Sequence, residues 1–296
     1  NLTINSGANK VSWNTGTSAR TDNTLNITGE FEIGTGKTMF VGSGASVIIN
    51  ASAKLSGAGS FNRFLSNTSP NITNSGTISV ATFQYLMVTG CTSGPVTATT
   101  YGGTLGITNW NGANLTAVLS AGTLSAGYLL VNNYNATYTS TFDNTVNNSN
   151  IAVTGFIKIG ISGTTTSYGV FKPGTGTMTI GGDVIVYASD TSGDNKIDST
   201  GVNTPWTITG NVTLNDIWIA GSSAISVGGN WTNSGTFTAG TSTVTFNGTA
   251  SQQIITSTST VTNTFYGLTL NNGTNTNTLT LNPTTGTPTL DVNGLM

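Results

Sequence analysis

Two seven-residue stretches, Ile72-Thr73-Asn74-Ser75-Gly76-Thr77-Ile78 and Trp231-Thr232-Asn233-Ser234-Gly235-Thr236-Phe237, match almost residue for residue. Each places large apolar residues at its ends and Asn, Ser and Gly at its centre. Asn and Gly accept the backbone conformations of a tight corner, so the pattern predicts strand, corner, strand. Outward from these stretches the chain alternates apolar and small polar residues over short runs. Examples are Leu2-Thr3-Ile4, Leu25-Asn26-Ile27, Phe31-Glu32-Ile33, Val184-Ile185-Val186, Ile217-Trp218-Ile219, Val244-Thr245-Phe246 and Leu279-Thr280-Leu281. Period two with β-branched enrichment reads as strand, and no 3.6-residue stripe persists beyond a turn or two. The fold class is therefore all-β.

The strands also recur. A [Gly/Asn]-Thr-apolar-x-apolar pentad begins at Asn23, Gly76, Gly103, Gly122, Gly176, Gly235 and Asn277, and an apolar-x-Gly-x-apolar motif marks Ile27–Phe31, Ile180–Val184, Ile208–Val212, Val227–Trp231 and Val292–Met296. Most spacings approximate one or two units of 19–29 residues, as coils with variable loops would give. In this pattern the chain resembles parallel β-helix (β-solenoid) proteins of the microbial cell surface: autotransporter-like passengers, adhesins and fibre proteins. The resemblance implies a single parallel β-helix over residues 1–296, of roughly twelve coils at about 24 residues each and on the order of 55–60 Å long. Residues 187–204 are expected to form a loop insertion. Tandem immunoglobulin-like sandwiches are the rival, but a repeat of about 100 residues is not visible.

Composition agrees with stacked coils. Thr, Ser, Asn and Gly make up 163 of the 296 residues, and only 6% are charged. Equivalent positions in successive coils lie about 4.8 Å apart. Like charges at that spacing repel by roughly 1 kcal/mol even in bulk water, whereas Thr, Ser and Asn can bond up and down the stack. Two Glu and three Gln leave little to solvate a helical protein. A net charge of −2 gives no basic footprint for nucleic acid, and no apolar run reaches the length of a membrane span.

Asn1–Gly7 is similar to Gly267–Gly273, and Asn23–Gly29 to Pro288–Gly294. These matches predict a longer repeat protein of which this chain is a segment. Strand-like sequence at both ends, without a charged or Pro-rich cap, predicts end-to-end self-association into a homopolymer.

Candidate chemistry is sparse. Asp190-Thr191-Ser192-Gly193-Asp194-Asn195-Lys196-Ile197-Asp198 resembles the first nine positions of a dockerin or EF-hand calcium loop. That resemblance implies calcium ligation by Asp190, Ser192, Asp194, the Lys196 carbonyl and Asp198. Asn195 stands where the motif has Gly, and Gly201 where it has a bidentate acid. Trp13 and Trp110, set among Asn and Gly, are candidate glycan contacts, while Trp218 and Trp231 in strand pattern are expected inside the coils. Twelve Asn-x-Ser/Thr sequons occur where composition alone predicts about ten, and Asn26, Asn50, Asn71, Asn114, Asn135, Asn211, Asn247 and Asn272 are candidate acceptors. The lone Cys91 reads as a small apolar residue. Histidine is absent and Arg20 and Arg63 are the only arginines. Of the enzymes built on β-helices, polygalacturonases use paired aspartates, a His and an Arg-x-Lys strand, for which this chain has no histidine. A pectate-lyase-like set would have to draw on the Asp cluster with Lys196, Lys172 or Lys158 as base, a distant third reading, and catalysis is not expected. The expected function is extracellular and structural: a surface fibre, sheath or adhesin stalk. The alternative is a glycan-binding adhesin or tail-fibre-like recognition module.

Overall fold

The computed structural model describes residues 2–4, 10–13, 24–65, 69, 72–87, 93–109, 114–133, 138–163, 168–189, 194–256, 263–271, 278–283 and 290–293. Every strand pairing among them is parallel and every described regular element is a strand. The chain winds through three faces in turn, giving a β-solenoid. The second face is the most continuous. Its register runs Val11, Met39, Phe61, Phe83, Leu105, Leu129, Ile157, Val184, Val212, Trp231, Ile254, Leu281. Successive partners are 19 to 28 residues apart, with an average close to the expected 24. Twelve rungs bound eleven turns between Val11 and Leu281, about 53 Å, against the roughly twelve coils expected for the whole chain. The first face runs from Leu2–Ile4 to Gly267–Leu270, its ladder lapsing once, between residues 77–80 and residues 100–101.

The third face is interrupted. Its rungs fall into groups of three, seven and two strands, with breaks after Thr73–Asn74 and after Thr236–Thr238. The expected insertion at 187–204 contains one of these rungs, Lys196–Asp198, which pairs with Val170–Phe171 below and Ile217–Ile219 above. A rung with one apolar residue offers too little alternation to be read from sequence.

Alternation sets what lies inside. Strand Ser46–Ile49 buries Val47 and Ile49, and strand Leu115–Leu119 buries Leu115, Ala117 and Leu119. Aromatic rings continue through the core across coils, with centroids of 5.6 Å for Phe142–Phe171, 5.1 Å for Trp206–Trp218 and 5.9 Å for Trp218–Trp231. Trp218 and Trp231 are fully buried, as their strand pattern predicted.

The matching heptads share local chemistry but occupy different corners. Residues 72–78 turn from the third face to the first, and residues 231–237 from the second to the third. In each, the Asn side-chain oxygen accepts from the Gly amide two residues on: Gly76 N to Asn74 Oδ1 at 3.1 Å and Gly235 N to Asn233 Oδ1 at 3.0 Å. A Cβ on Gly76 would lie 2.3 Å from the Ala53 carbonyl oxygen, and one on Gly235 2.0 Å from that of Asp216. The coil below therefore demands glycine. The pentads likewise lie on all three faces, which accounts for their uneven spacing.

Between the first and second faces the corners form a glycine column. Gly155, Gly182, Gly210 and Gly229 each donate to the glycine carbonyl one coil back, beginning at Gly127, over 2.7 to 3.1 Å. Beside it stands a polar ladder. Asn211 donates from its backbone and side chain to Asp183 Oδ1, and its own Oδ1 accepts from Asn230 N at 2.9 Å. One carboxylate followed by amides, with no second acid, meets the electrostatic requirement of a stack.

Candidate functional site

Of the calcium-loop run, Asp190 and Ser192 lie outside the described residues. Asp194 is exposed, while Lys196 and Asp198 sit on the third-face rung with Ile197 buried between them. Lys196 Nζ is 3.4 Å from Asp198 Oδ2, and Asp198 Oδ1 accepts from the Thr200 amide at 3.1 Å and from its hydroxyl. Desolvation opposes ionisation of Asp198, but the Thr200 hydrogen bonds and Lys196 together hold its pKa below the ordinary value. Asn195, at the position where the motif has Gly, is fully buried. Its side chain accepts from Gly169 N at 2.8 Å and donates to the Tyr187 carbonyl at 3.1 Å, stitching this rung to the preceding coil. Asp216, which the motif does not include, receives Asn195 N at 2.8 Å and the Ser189 hydroxyl. Burial, reinforced by Asp194, pushes its pKa up against those hydrogen bonds. Among the described residues no three acids, histidines or cysteines cluster closely enough to hold a metal.

Trp110, Cys91, Asn71, Asn135 and Asn272 lie outside the described residues. Trp13 belongs to the second-face rung Lys10–Trp13. Asn26, Asn114, Asn211 and Asn247 are exposed. Asn50 is half-buried and turns its amide nitrogen to the Asn26 side chain and to the Ile27 carbonyl at 3.1 Å.

Arg63, read from sequence only as one of two arginines, is fully buried beside Tyr85 and Tyr101. A closed circuit runs from Thr97 N to Tyr85 Oη (3.2 Å), on to Tyr101 Oη (2.8 Å) and back to the Thr97 carbonyl (3.0 Å). Burial raises both phenol pKa values and lowers that of the guanidinium. Buried and hydrogen-bonded to one another and to Thr97, the two phenols pack within the core.

The described surface carries one mixed concavity of note, at the second interruption of the third face. Strand Thr236–Thr238 pairs with Ile217–Ile219 on one side, while Asn263–Phe265 pairs only with Leu290–Val292. No ladder joins the two strands. A groove of about 340 Å³ lies there, lined by residues 237–240 together with Thr264, Tyr266 and Asn293. Phe237 and Ala239 form an almost buried apolar floor. Thr238 and Asn293 are exposed, Thr264 is half-exposed, and the Tyr266 ring stands 42% exposed. Among the described residues that line it none is charged. Sequence reading missed this site because its threonines look like any ladder threonine. The one local signal is the adjacent pair Phe265-Tyr266, of which one ring packs inward and the other faces solvent.

Comparison with protein-family models, with curated proteins and with solved structures gave no match.

Proposed function

We propose that this chain is a load-bearing, non-catalytic segment of an extracellular surface fibre, sheath or adhesin stalk, extended by end-to-end stacking of coils. The observation that carries this reading is the unbroken eleven-step parallel ladder of the second face. Its backbone hydrogen bonds run along the rod, so tension is shared among many bonds in series and in parallel, as in cross-β stacks. A surface nearly free of charge makes such a rod insensitive to ionic strength. On this reading, calcium at residues 190–198 would stiffen one loop, and N-glycans on exposed asparagines such as Asn26, Asn114 and Asn247 would coat the outside.

Three measurements test the proposal. Immunogold labelling of intact cells should decorate surface filaments, and purified protein should elongate into rods as its concentration rises. Label confined to the cytoplasm, or monodisperse single chains at high concentration, would count against it. Calcium should raise the melting temperature of the wild type and not of the Asp190→Ala/Asp194→Ala variant. An equal response in both removes the calcium site.

A further inference from the structure

We propose that the groove at the second third-face interruption binds one neutral pyranose unit of a glycan, a role beyond the mechanical one. Four features converge on that ligand class. The volume of about 340 Å³ is at the small end of ligand sites, the scale of a single sugar ring and its neighbours. The half-exposed Tyr266 ring offers an aromatic face to the apolar C–H face of a pyranose. Thr238, Thr264 and Asn293 line the groove, and hydroxyl and amide side chains of these types offer both donors and acceptors to sugar hydroxyls. Among the described lining residues there is no Asp, Glu, Lys or Arg, which selects against uronates, sulfated sugars and sialic acids, whose charge would be desolvated without a partner.

The interrupted ladder adds to these. Strand Thr236–Thr238 and strand Asn263–Phe265 face each other without ladder bonds, so main-chain polar groups border the same space. An extended peptide inserting as an extra strand is the competing occupant. Rungs of three residues give it few bonds, and the hydroxyl-rich wall favours the sugar.

The test is titration of the full chain with neutral gluco-, galacto- and manno-oligosaccharides, and with uronate oligomers of the same length, by calorimetry. Tyrosine-ring resonances of isotope-labelled protein are followed in parallel. At least one neutral series should bind and shift the Tyr266 resonances. Tyr266→Ala should weaken binding by about tenfold or more, the scale of one lost aromatic contact, and Thr264→Val and Asn293→Ala should weaken it by several-fold. Tyr266→Phe, which keeps the ring, should retain most of the affinity. Uronate oligomers should not bind. The proposal is overturned if no neutral series binds at millimolar concentration, if uronates bind equally well, or if binding survives Tyr266→Ala unchanged. It also fails if the groove instead takes up an unstructured peptide in competition with the sugars. Should Tyr266→Ala not fold, the resonance shifts in the wild type and the Thr264→Val titration decide. Rod formation is scored separately on the same variants, so loss of sugar binding and loss of assembly can be told apart.

Discussion

At Gly210 the neighbouring coil comes so close that a Cβ would lie 2.6 Å from the Gly182 carbonyl oxygen and 2.4 Å from Asp183 Oδ1. Backbone cannot retreat without opening the glycine column, so Gly210→Ala should lower the free energy of unfolding by about 1–3 kcal/mol. Urea denaturation measures this, and an unchanged midpoint would show that the column has slack. The two acidic side chains near the Lys196–Asp198 rung make opposite pH predictions. Asp216 has a raised pKa, so its folded form holds the proton more tightly and its contribution to stability falls as pH rises above the ordinary carboxylate value. Asp198 has a lowered pKa, so its contribution is present above that value and is lost as pH falls below it. Relative to the wild type, Asp216→Asn should therefore gain in melting temperature from pH 3 to pH 6, and Asp198→Asn should lose. Parallel curves for the two variants would contradict the assignment. At this scale the sequence shows residues that serve the stack, because Thr, Asn and Gly recur for that purpose. It hides those that do anything else. Arg63, Asp216 and Tyr266 acquire their surroundings from coils 20 or more residues away in sequence, and no spacing rule points to them.

Strands in this fold are held by what they stack on. Trp218, fully buried, lies 5.1 Å from Trp206, 5.9 Å from Trp231 and 6.1 Å from Phe237, centroid to centroid. Trp218→Ala should cost about 3–5 kcal/mol because the surrounding rungs are pinned by their ladders and cannot collapse into the space. Its indole nitrogen is buried without a hydrogen-bond partner, so Trp218→Phe removes an unsatisfied donor along with some volume and should cost distinctly less. Equal losses for the two variants would mean that ring contact contributes little. Elements were legible where apolar residues recur at every second position or run together, as in Leu25-Asn26-Ile27 or Val244-Thr245-Phe246. The heptad at 72–78 and its counterpart at 231–237 were legible as strand–corner–strand, but not by which corner they turn. A corner is defined by the approach of the coil beneath, and all three corners here accept Asn and Gly. The rung Lys196–Asp198 was lost inside an expected insertion for the opposite reason: its charged outer residues resemble a loop.

Across the whole molecule, one requirement links composition to architecture. Every outward side chain has a near neighbour about 4.8 Å above and below it, so a long solenoid tolerates few charges and many small hydrogen-bonding residues, and 6% charged residues is the outcome. Parallel coiling was implied by the resemblance to β-solenoid proteins, with which the composition agrees, and coil length by the repeat spacing. Eleven turns between Val11 and Leu281 come close to the twelve coils that the repeat spacing implies for the whole chain. The interruptions of the third face left no trace in composition, since the residues on either side are ordinary strand formers. The central claim is that distance along the rod depends on the number of coils and not on sequence separation. Gln84, Lys158, Thr213 and Thr232 lie on one outward line of the second face, linked in register through Gly106, Leu130 and Ile185. Spin labels on cysteines at these positions, in a Cys91→Ser background, provide the measurement. Pulsed dipolar spectroscopy should give about 24 Å for 84–213 and about 29 Å for 84–232, five and six coil steps. Distances well beyond 40 Å, or a 213–232 separation larger than 158–213, would contradict a single stacked solenoid.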